Sequence, residues 1–557
     1  MTRTRRRSLF ALTLAAAAWT FAACGAPPAP VVRPPLGEPG GVYETTCTAL
    51  RSEHARELAE KRYVPTGLLV HAWPGAVAAD LGVVKSELDL VPGLLEPAPA
   101  GTQLRIALVL ARGGAGKSKL AWSIAAQACA KVPVFRVDLA TEIAPRVESE
   151  GKVALAYRIA REVGLATPET AEDVLKRALG DRPWLVIADS LDEVPLLQRQ
   201  AVAAQLDDLV TRIAPKARVV VFTRPPVFTS NYGLQSVDVR VEIPQMSCAE
   251  SDDAIAHTVA EGKDRKAFDE FVKRYRLDRQ VTAYGRCYYP HLATWRDIQV
   301  VDRLVRNTVA VQGAEIAGFT AGRAQIYTYF MTAQLVRDMQ GVEVLPADAL
   351  AAVDRMVTAQ NPENGERNLP FALHQCVAAL PGIDTGVAQV TCERLLQSSL
   401  FRAGHEVGVW HFDNQSLGDL FLARWAATAL DNGGRADCTR VTKLATMLES
   451  NEVAGFLVGQ ANGQQCLGMI AKELCHRGGF AQHVYEQLDQ GLPTGMSRAI
   501  LLRDAIEQLE GLPNDLCTTQ LLEQLGQGLP EPPPREAPPP APEPPAKKKV
   551  KGKAKTK

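Results

Sequence analysis

The sequence predicts an α/β protein in which a parallel β-sheet is followed by a mostly helical region. Five short apolar runs alternate with helical patterns, at residues 104–111, 132–139, 184–188, 219–222 and 237–243. Nearly continuous apolar strands separated by helices are typical of a parallel sheet that is covered on both faces. From residue 247 to about residue 527 the patterns are mostly helical, as in residues 324–339 and 498–509.

Length and charge limit the class of protein. A chain of 557 residues corresponds to three or four domains at roughly 150 residues per domain. The apolar fraction of 46% and the charged fraction of 22% are ordinary for a globular protein. Because 62 basic residues balance 62 acidic residues, the net charge gives no reason to expect a nucleic-acid partner.

Four arginines lie among the first eight residues, and an uncharged run over residues 9–23 leads to Ala-Ala-Cys24. This N-terminus resembles the signal peptide of a bacterial lipoprotein. The run is shorter than the ~20 residues of a membrane-spanning helix. The resemblance implies cleavage before Cys24 and lipidation of its thiol, and an uncleaved N-terminal anchor is the alternative. Arg6-Arg7-Ser8-Leu9-Phe10 also resembles the twin-arginine signal, which exports proteins already folded with their ligand.

Two terminal segments lack the composition of a folded domain. Residues 25–42 are rich in proline and glycine, which predicts a tether. Ten of the sixteen residues 530–545 are proline, and seven of the eleven residues 547–557 are lysine. Residues 529–557 are therefore predicted to be a disordered tail, and an electrostatic arm for an anionic surface is the alternative.

Ten cysteines remain when Cys24 is set aside, since the chain has 11 in total. They include no Cys-x-x-Cys pair, so we expect no zinc site. An even number is compatible with disulfides in an oxidising compartment, and buried thiols are the alternative. Cys466 and Cys475 should not pair with each other if residues 464–477 form one helix, because they would lie on opposite faces.

The first apolar run leads directly into a glycine-rich loop and then a predicted helix over residues 120–130. The loop consists of Ala111, Arg112, Gly113, Gly114, Ala115, Gly116, Lys117 and Ser118. In the context of strand, loop and helix, this pattern predicts a phosphate-binding loop whose backbone N–H groups surround the phosphates. Lys117 would neutralise phosphate charge and Ser118 would ligate Mg²⁺. The alternative is a glycine-rich turn without a ligand.

Two further strand ends carry charged residues of the types that accompany a phosphate-binding loop. Asp189 ends the third run, where it can hold Mg²⁺, and Asp192 and Glu193 follow it, where they can orient or deprotonate an attacking water. Arg224 ends the fourth run and can deliver a guanidinium to a γ-phosphate. Taken separately, residues 189–193 could also be a solvated acidic turn, and Arg224 could be a surface arginine without a ligand. The three strand ends together predict the nucleotide site of a P-loop NTPase.

The run Asp189-Ser-Leu-Asp192-Glu193 resembles that of the NACHT family of signal-transduction NTPases, within the STAND class. Residues 241–247 resemble the strand that leaves the core of that family, and residues 323–327 resemble the start of its winged-helix part. The resemblance implies that Pro290, in Tyr289-Pro-His-Leu, packs on adenine. Asn414, within residues 412–423, takes the place of the histidine that contacts the ADP phosphate. An asparagine can donate a hydrogen bond there but cannot become cationic.

The resemblance covers residues 63–427 and implies an order of regions along the chain. These are a signal peptide (1–24), a tether (25–42), a lead-in segment (43–100) with residues 62–65 as its strand, the NTPase core (101–246), a helical lid (247–310), a winged-helix-like region (311–430), a C-terminal helical region (431–528) and the tail (529–557). The lead-in segment leaves no room for an effector domain before the core. Trp295, in the lid, is expected to be a core residue.

Two functions follow from these patterns. The first is a membrane-anchored switch that binds ATP or ADP with Mg²⁺, self-associates when activated and uses its C-terminal helices to sense a protein partner; whether it hydrolyses ATP is left open. The second is a surface lipoprotein that keeps the NTPase fold only as a binding scaffold. An extracytoplasmic address conflicts with the need for ATP. Export with trapped nucleotide, a cytoplasm-facing body on an anchor, and a relic site are three ways to resolve this conflict.

Overall fold

The computed structural model describes most of the chain between residues 42 and 527. The described ranges are 42–59, 68–72, 91, 95, 104–164, 166–179, 182–224, 233–277, 279–281, 287–310, 322–364, 369–404, 407–447, 451–476, 484–485, 488–489, 491–493, 496–510 and 516–527. The signal peptide with Cys24, residues 25–41 of the tether, the strand expected at residues 62–65 and the C-terminal tail lie outside the described residues.

A six-stranded sheet forms the core of the first half. Its strands are β1 (Leu69–Ala72), β2 (Ile106–Leu110), β3 (Val134–Asp138), β4 (Trp184–Asp189), β5 (Ala217–Thr223) and β6 (Val237–Glu242). They lie in the order β1-β6-β2-β5-β4-β3, and the pairs from β6 to β3 are parallel. The five predicted parallel strands are thereby confirmed. Strand β1 is an additional edge strand and runs antiparallel to β6.

The sheet is apolar on both faces, which is why helices cover both of them. Along β2, Ile106 and Leu108 pack into one hydrophobic cluster, whereas Ala107 and Val109 pack into the other. The first cluster is covered by α4 (Ala154–Val163), α5 (Ala171–Leu179) and α6 (Leu196–Asp208), which follow the short α3 (Val147–Glu150). The second is covered by α2 (Lys117–Ala128), against which α1 (Val42–Ala59) packs.

The second half is mostly helical, as predicted. It contains α7 (Cys248–Thr258), α8 (Lys263–Arg274), α9 (Trp295–Ala310), α10 (Arg323–Asp338), α11 (Pro346–Gln360), α12 (Leu373–Ala378), α13 (Thr385–Leu396), α14 (Gln415–Ala426), α15 (Cys438–Met447), α16 (Asn451–Val458), α17 (Ala461–Gln465), α18 (Leu467–His476), α19 (Met496–Glu510) and α20 (Leu516–Gln527). One continuous hydrophobic cluster runs through these helices. The predicted α/β fold class is confirmed.

Two small antiparallel sheets interrupt this helical half. A two-stranded sheet joins β7 (Gln280–Val281) to β8 (Cys287–Tyr288). A three-stranded sheet contains β9 (Phe371–Ala372), β10 (Phe401–Ala403) and β11 (Val409–Phe412) in the order β10-β11-β9. Strands of two to four residues are too short to show alternation, which is why the sequence pattern did not predict them.

All ten cysteines other than Cys24 are paired in disulfides. The pairs are Cys47–Cys129, Cys248–Cys287, Cys376–Cys392, Cys438–Cys466 and Cys475–Cys517. This decides between the two alternatives in favour of disulfides. As predicted, Cys466 and Cys475 do not pair with each other, although the expected single helix is divided between α17 and α18. Within the described residues, no helix has the length and apolarity needed to cross a bilayer.

Candidate functional site

The loop between β2 and α2 has the backbone conformation of a phosphate cradle. Gly114 and Gly116 have φ values of 76° and 98°, which non-glycine residues rarely adopt. Ala111, at the start of the loop, is not among the residues with positive φ, and its N–H donates to the Thr223 carbonyl over 3.0 Å. An alanine at position 111 is therefore compatible with the loop, because its backbone extends the pairing of β2 with β5.

Lys117 begins α2 and lies beside the loop. Its Nζ donates a hydrogen bond to the Ala111 carbonyl over 3.1 Å. Burial lowers the pKa of Lys117, and the nearby carboxylates of Asp192 and Asp189 oppose this effect. A bound anion would stabilise the charged ammonium in the same way, so Lys117 suits a phosphate.

Ser118 and Asp189 converge at the carboxyl ends of β2 and β4. The Ser118 hydroxyl donates to Asp189 Oδ2 over 3.1 Å. Burial raises the pKa of Asp189, and Lys117 and Ser118 oppose this rise. Hydroxyl and carboxylate oxygens are ligands that Mg²⁺ accepts, and a divalent cation would offset the cost of burying this carboxylate. The two residues therefore fit a magnesium ion.

The chain turns sharply after Asp189. Ser190 has a φ of 67°, in the left-handed region, and its N–H donates to Asp189 Oδ1 over 2.9 Å. A non-glycine residue in this region costs about 1–3 kcal/mol, and such strain is concentrated at functional sites. The turn directs Leu191–Glu193 across the edge of the sheet beside the loop.

A cavity of about 470 Å³ opens over this edge. Four parts of the chain form its wall: the loop and the start of α2, the ends of β3, β4 and β5, the start of α9, and the segment from β10 to the start of α14. The wall residues are Gly113, Gly114, Gly116, Lys117, Ser118, Lys119, Asp138, Asp189, Ser190, Glu193, Arg224, Trp295, Arg296, Gln299, Arg402, Asp413, Asn414, Gln415 and Ser416.

Nine of the residues selected from the sequence lie on this wall. They are Gly113, Gly114, Gly116, Lys117, Ser118, Asp189, Glu193, Arg224 and Asn414. Ala111, Arg112 and Ala115 belong to the loop but do not line the cavity. Asn414 caps α14, and its side-chain oxygen accepts a hydrogen bond from the Ser416 N–H over 2.8 Å.

Two of the residues selected from the sequence lie away from the cavity wall. Asp192 does not line the cavity, because it is 2% exposed and its Oδ1 accepts a hydrogen bond from the Arg224 N–H over 3.1 Å. Pro290 is buried and does not line the cavity either. Trp295, expected to be a core residue only, packs against the core and also forms part of the wall.

Arg224 is held by carboxylates from three regions. Its Nε lies 3.1 Å from Asp192 Oδ2, and its Nη1 lies 3.3 Å from Glu452 Oε2 and forms a closer ion pair with Asp419. Burial alone would lower the pKa of Arg224, but Glu452, Asp419 and Asp192 raise it well above its usual value. The guanidinium therefore stays charged, and the protein's own anions already satisfy it.

The start of α9 rests directly on the loop. The Arg296 N–H donates to the Gly114 carbonyl over 3.3 Å, and a Cβ at Gly114 would overlap the Arg296 Cβ. Glycine at position 114 therefore permits both the left-handed backbone and the close approach of α9. Sequence reasoning did not select Arg296 or Arg402, because neither lies in a recognisable motif.

Comparisons with solved structures give matches at low sequence identity and low TM-score. No family model and no curated protein matches the chain. Among solved structures, the Aeropyrum pernix Orc1 protein in complex with DNA is 14% identical, with 61% of this chain and 93% of that chain covered and a TM-score of 0.30. The Thermotoga maritima RuvB Holliday junction branch migration motor is 14% identical, with 56% and 84% covered and a TM-score of 0.22. The parallel sheet, the loop after β2 and the acidic end of β4 give this chain a P-loop NTPase fold.

Proposed function

We propose that this protein is a membrane-anchored, nucleotide-dependent switch of the NACHT type, which binds ATP or ADP with Mg²⁺ beside the loop at residues 111–118. One observation carries the proposal. Lys117, Ser118 and Asp189 converge beside two glycines of positive φ, at the floor of a cavity that the start of α9 and the segment from β10 to α14 also enclose. A ligand in this cavity would contact all of these parts at once, so its presence would bias their arrangement.

The residues of the chain have separate tasks in this proposal. The loop N–H groups and Lys117 bind phosphate, and Ser118 and Asp189 hold Mg²⁺. When bound, the ion would neutralise phosphate charge. Of Asp192 and Glu193, Glu193 lies on the wall and can orient a water, whereas Asp192 is engaged with Arg224. The side-chain oxygen of Asn414 is engaged in its cap, so its amide nitrogen is the group that can donate to an anion.

We further propose that the body of the protein works outside the cytoplasm, with a lipid on Cys24. Five disulfides support this location, because disulfides persist in oxidising compartments and are rare in reducing ones. The twin-arginine-like signal offers a route by which the folded core leaves with its nucleotide.

The regional division inferred from the resemblance is also part of this proposal. Residues 247–310 would act as a lid, and residues 311–430, with the small sheet β10-β11-β9, as a winged-helix-like region. The helices beyond residue 431 would bind the protein partner that triggers self-association.

A second candidate function is a surface lipoprotein that binds a partner without catalysis. The engagement of Asp192 and Arg224 in a buried ion pair favours this alternative, because both side chains were expected to serve the reaction.

The test combines nucleotide content with location. Membranes are isolated, protease accessibility of the body is measured in intact cells, and the purified protein is denatured to identify any released nucleotide. The switch predicts about one ADP or ATP per chain and stabilisation by added nucleotide. An empty protein whose thermal stability does not change with ATP or ADP would contradict the switch and leave the binding scaffold.

Counting thiols tests the compartment independently. Purified protein is alkylated without reduction and analysed by mass spectrometry. An extracytoplasmic body predicts that the ten cysteines of residues 47–517 are unmodified until a reductant is added. Ten alkylated cysteines in unreduced protein would contradict this location.

A further inference from the structure

Glu452, on α16, lies against the loop although it belongs to a distant part of the chain. Its side chain is 2% exposed, and a Cβ added at Gly113 would overlap its carboxylate. Gly113 is a wall residue of the cavity, and so is Arg224, whose Nη1 lies 3.3 Å from Glu452 Oε2. The carboxylate therefore stands between the loop and the guanidinium that ends β5.

The surroundings of Glu452 form a built anion site. Ser416 donates its hydroxyl to Oε2 over 2.9 Å, and Arg323 Nη2 lies 3.8 Å from Oε1. Burial alone would raise the pKa of Glu452, but Arg224 and Arg323 lower it to about 2. The carboxylate is consequently ionised at neutral pH. The space between the loop and the Arg224 guanidinium is therefore occupied by an anion of the protein itself.

A second anion in the same place would be repelled. Arg224 carries one positive charge and already faces the carboxylates of Asp192, Asp419 and Glu452. Two negative charges a few ångströms apart repel each other strongly where the surrounding protein excludes water. On the Lys117 and Asp189 side, Gly113, Gly114 and Gly116 line the cavity, and there the loop is accessible to a ligand.

We propose, on the basis of the function proposed above, that Glu452 is a specificity-determining residue that excludes the terminal phosphate of a nucleoside triphosphate. In this arrangement the cavity accepts a nucleoside diphosphate, and Glu452 acts as an internal substitute for the third phosphate at Arg224. A triphosphate binds only after α16 has withdrawn its carboxylate.

The position of Glu452 depends on the C-terminal helices. Helix α16 packs against α14 and α10, and Phe456 on α16 contacts Tyr327 on α10 with ring centroids 5.2 Å apart. Withdrawal of the carboxylate would thus displace these contacts. Competition between Glu452 and the third phosphate couples nucleotide identity to the region beyond residue 431.

The experiment compares affinities for ADP and ATP, each with Mg²⁺, in wild type, Glu452→Gln and Glu452→Asp. Glu452→Gln removes the charge, and Glu452→Asp keeps it but shortens the side chain by one methylene. Both variants should bind ATP more tightly relative to ADP, by about tenfold for the glutamine variant, because the competing anion is removed or withdrawn. Glu363→Gln is the matched control, since Glu363 forms an exposed ion pair with Arg440, and its ratio should equal that of wild type.

The outcomes separate this inference from the function on which it rests. If wild type binds neither nucleotide, the proposed function fails. If wild type binds ADP and the ratio of affinities is the same in both Glu452 variants, only the role of Glu452 is overturned. A parallel loss of affinity for both nucleotides in both variants would also overturn it, because a structural role alone predicts that result.

Discussion

The two sides of the phosphate end of the cavity differ in how their charges are satisfied. On the loop side, Lys117 donates to a backbone carbonyl, and Ser118 contacts Asp189 at the cavity wall. On the opposite side, Arg224 is 7% exposed and is surrounded by carboxylates from the core, α14 and α16. The loop side is ready for an external ligand, whereas the other side is closed by the protein itself.

This difference has an energetic consequence. Exposed ion pairs contribute little to stability, because water screens them and two long side chains must be ordered. Removal of one partner from a buried ion pair leaves an uncompensated charge and is strongly destabilising. Substitutions on the Arg224 side should therefore change folding stability, whereas substitutions on the loop side should change ligand binding.

The largest effect is expected for Arg224→Ala. The substitution leaves the carboxylates of Asp192, Asp419 and Glu452 buried without their common cation, and it should lower the free energy of unfolding by about 3–5 kcal/mol. Urea denaturation measures this change. Arg440→Ala, which removes the exposed pair with Glu363, should cost less than about 1 kcal/mol. Equal losses in the two variants would contradict the distinction between the two sides.

Acid should affect the Arg224 side through Glu452. Its pKa is lowered from 4.5 to about 2, so its contribution to stability is present above pH 4.5 and is lost as the pH falls toward 2. At 1.36 kcal/mol per pKa unit, the loss amounts to about 3 kcal/mol. Urea denaturation between pH 5 and pH 2.5 should show a shallower decline in Glu452→Gln than in wild type. An identical loss of stability with falling pH in the two proteins would contradict the contribution of the Glu452 ion pairs with Arg224 and Arg323.

A smaller effect of opposite sign is expected on the loop side. Burial raises the pKa of Asp189, so its ionised form is penalised in the folded protein at neutral pH, and the penalty is relieved as the pH falls through the raised pKa. Asp189→Asn should leave stability at pH 7 unchanged or raise it by up to about 1 kcal/mol. Mg²⁺ should increase the affinity of wild type for ADP, and in Asp189→Asn this increase should be about tenfold smaller. If the variant keeps the full Mg²⁺-dependent increase in ADP affinity, Asp189 is not a metal ligand.

The sequence predicted the sheet and the loop well because both follow from local pattern. Strands β2, β4 and β5 are nearly continuous apolar runs, β3 and β6 carry apolar residues at alternate positions, and the residues 111–118 combine small residues with Lys117 and Ser118 in consecutive positions. The backbone at Ala111 does not require positive φ, so an alanine is compatible with the start of this loop.

The partners of Arg224 could not be predicted in the same way. Asp419 lies 195 residues from Arg224, and Glu452 lies beyond the part of the chain that resembles a known family. Only the packing of α14 and α16 against the core brings these carboxylates to the end of β5. The ion pair of Asp192 with Arg224 was not predictable for the same reason, since an acid after a strand shows no sign in the sequence of the arginine that will engage it.

The pairing of the cysteines was equally beyond the sequence pattern. Their number indicated disulfides, but each partner depends on how helices pack, as for Cys475 on α18 and Cys517 on α20. Spacing along the chain excluded the pair Cys466 and Cys475 only for a single helix over residues 464–477, and the structure divides that segment between α17 and α18. The spacing carried no information about the pairs that form.

The central claim is that the loop at residues 111–118 is a nucleotide site. Titration of the purified protein with ADP and Mg²⁺ tests this claim most directly. We expect one ADP per chain in wild type and a loss of roughly 100-fold in affinity in Lys117→Ala, equivalent to about 3 kcal/mol. Lys176→Ala, which removes an exposed pair with Glu172, should bind as wild type does. Equal ADP affinity in Lys117→Ala and wild type would contradict a phosphate site at this loop.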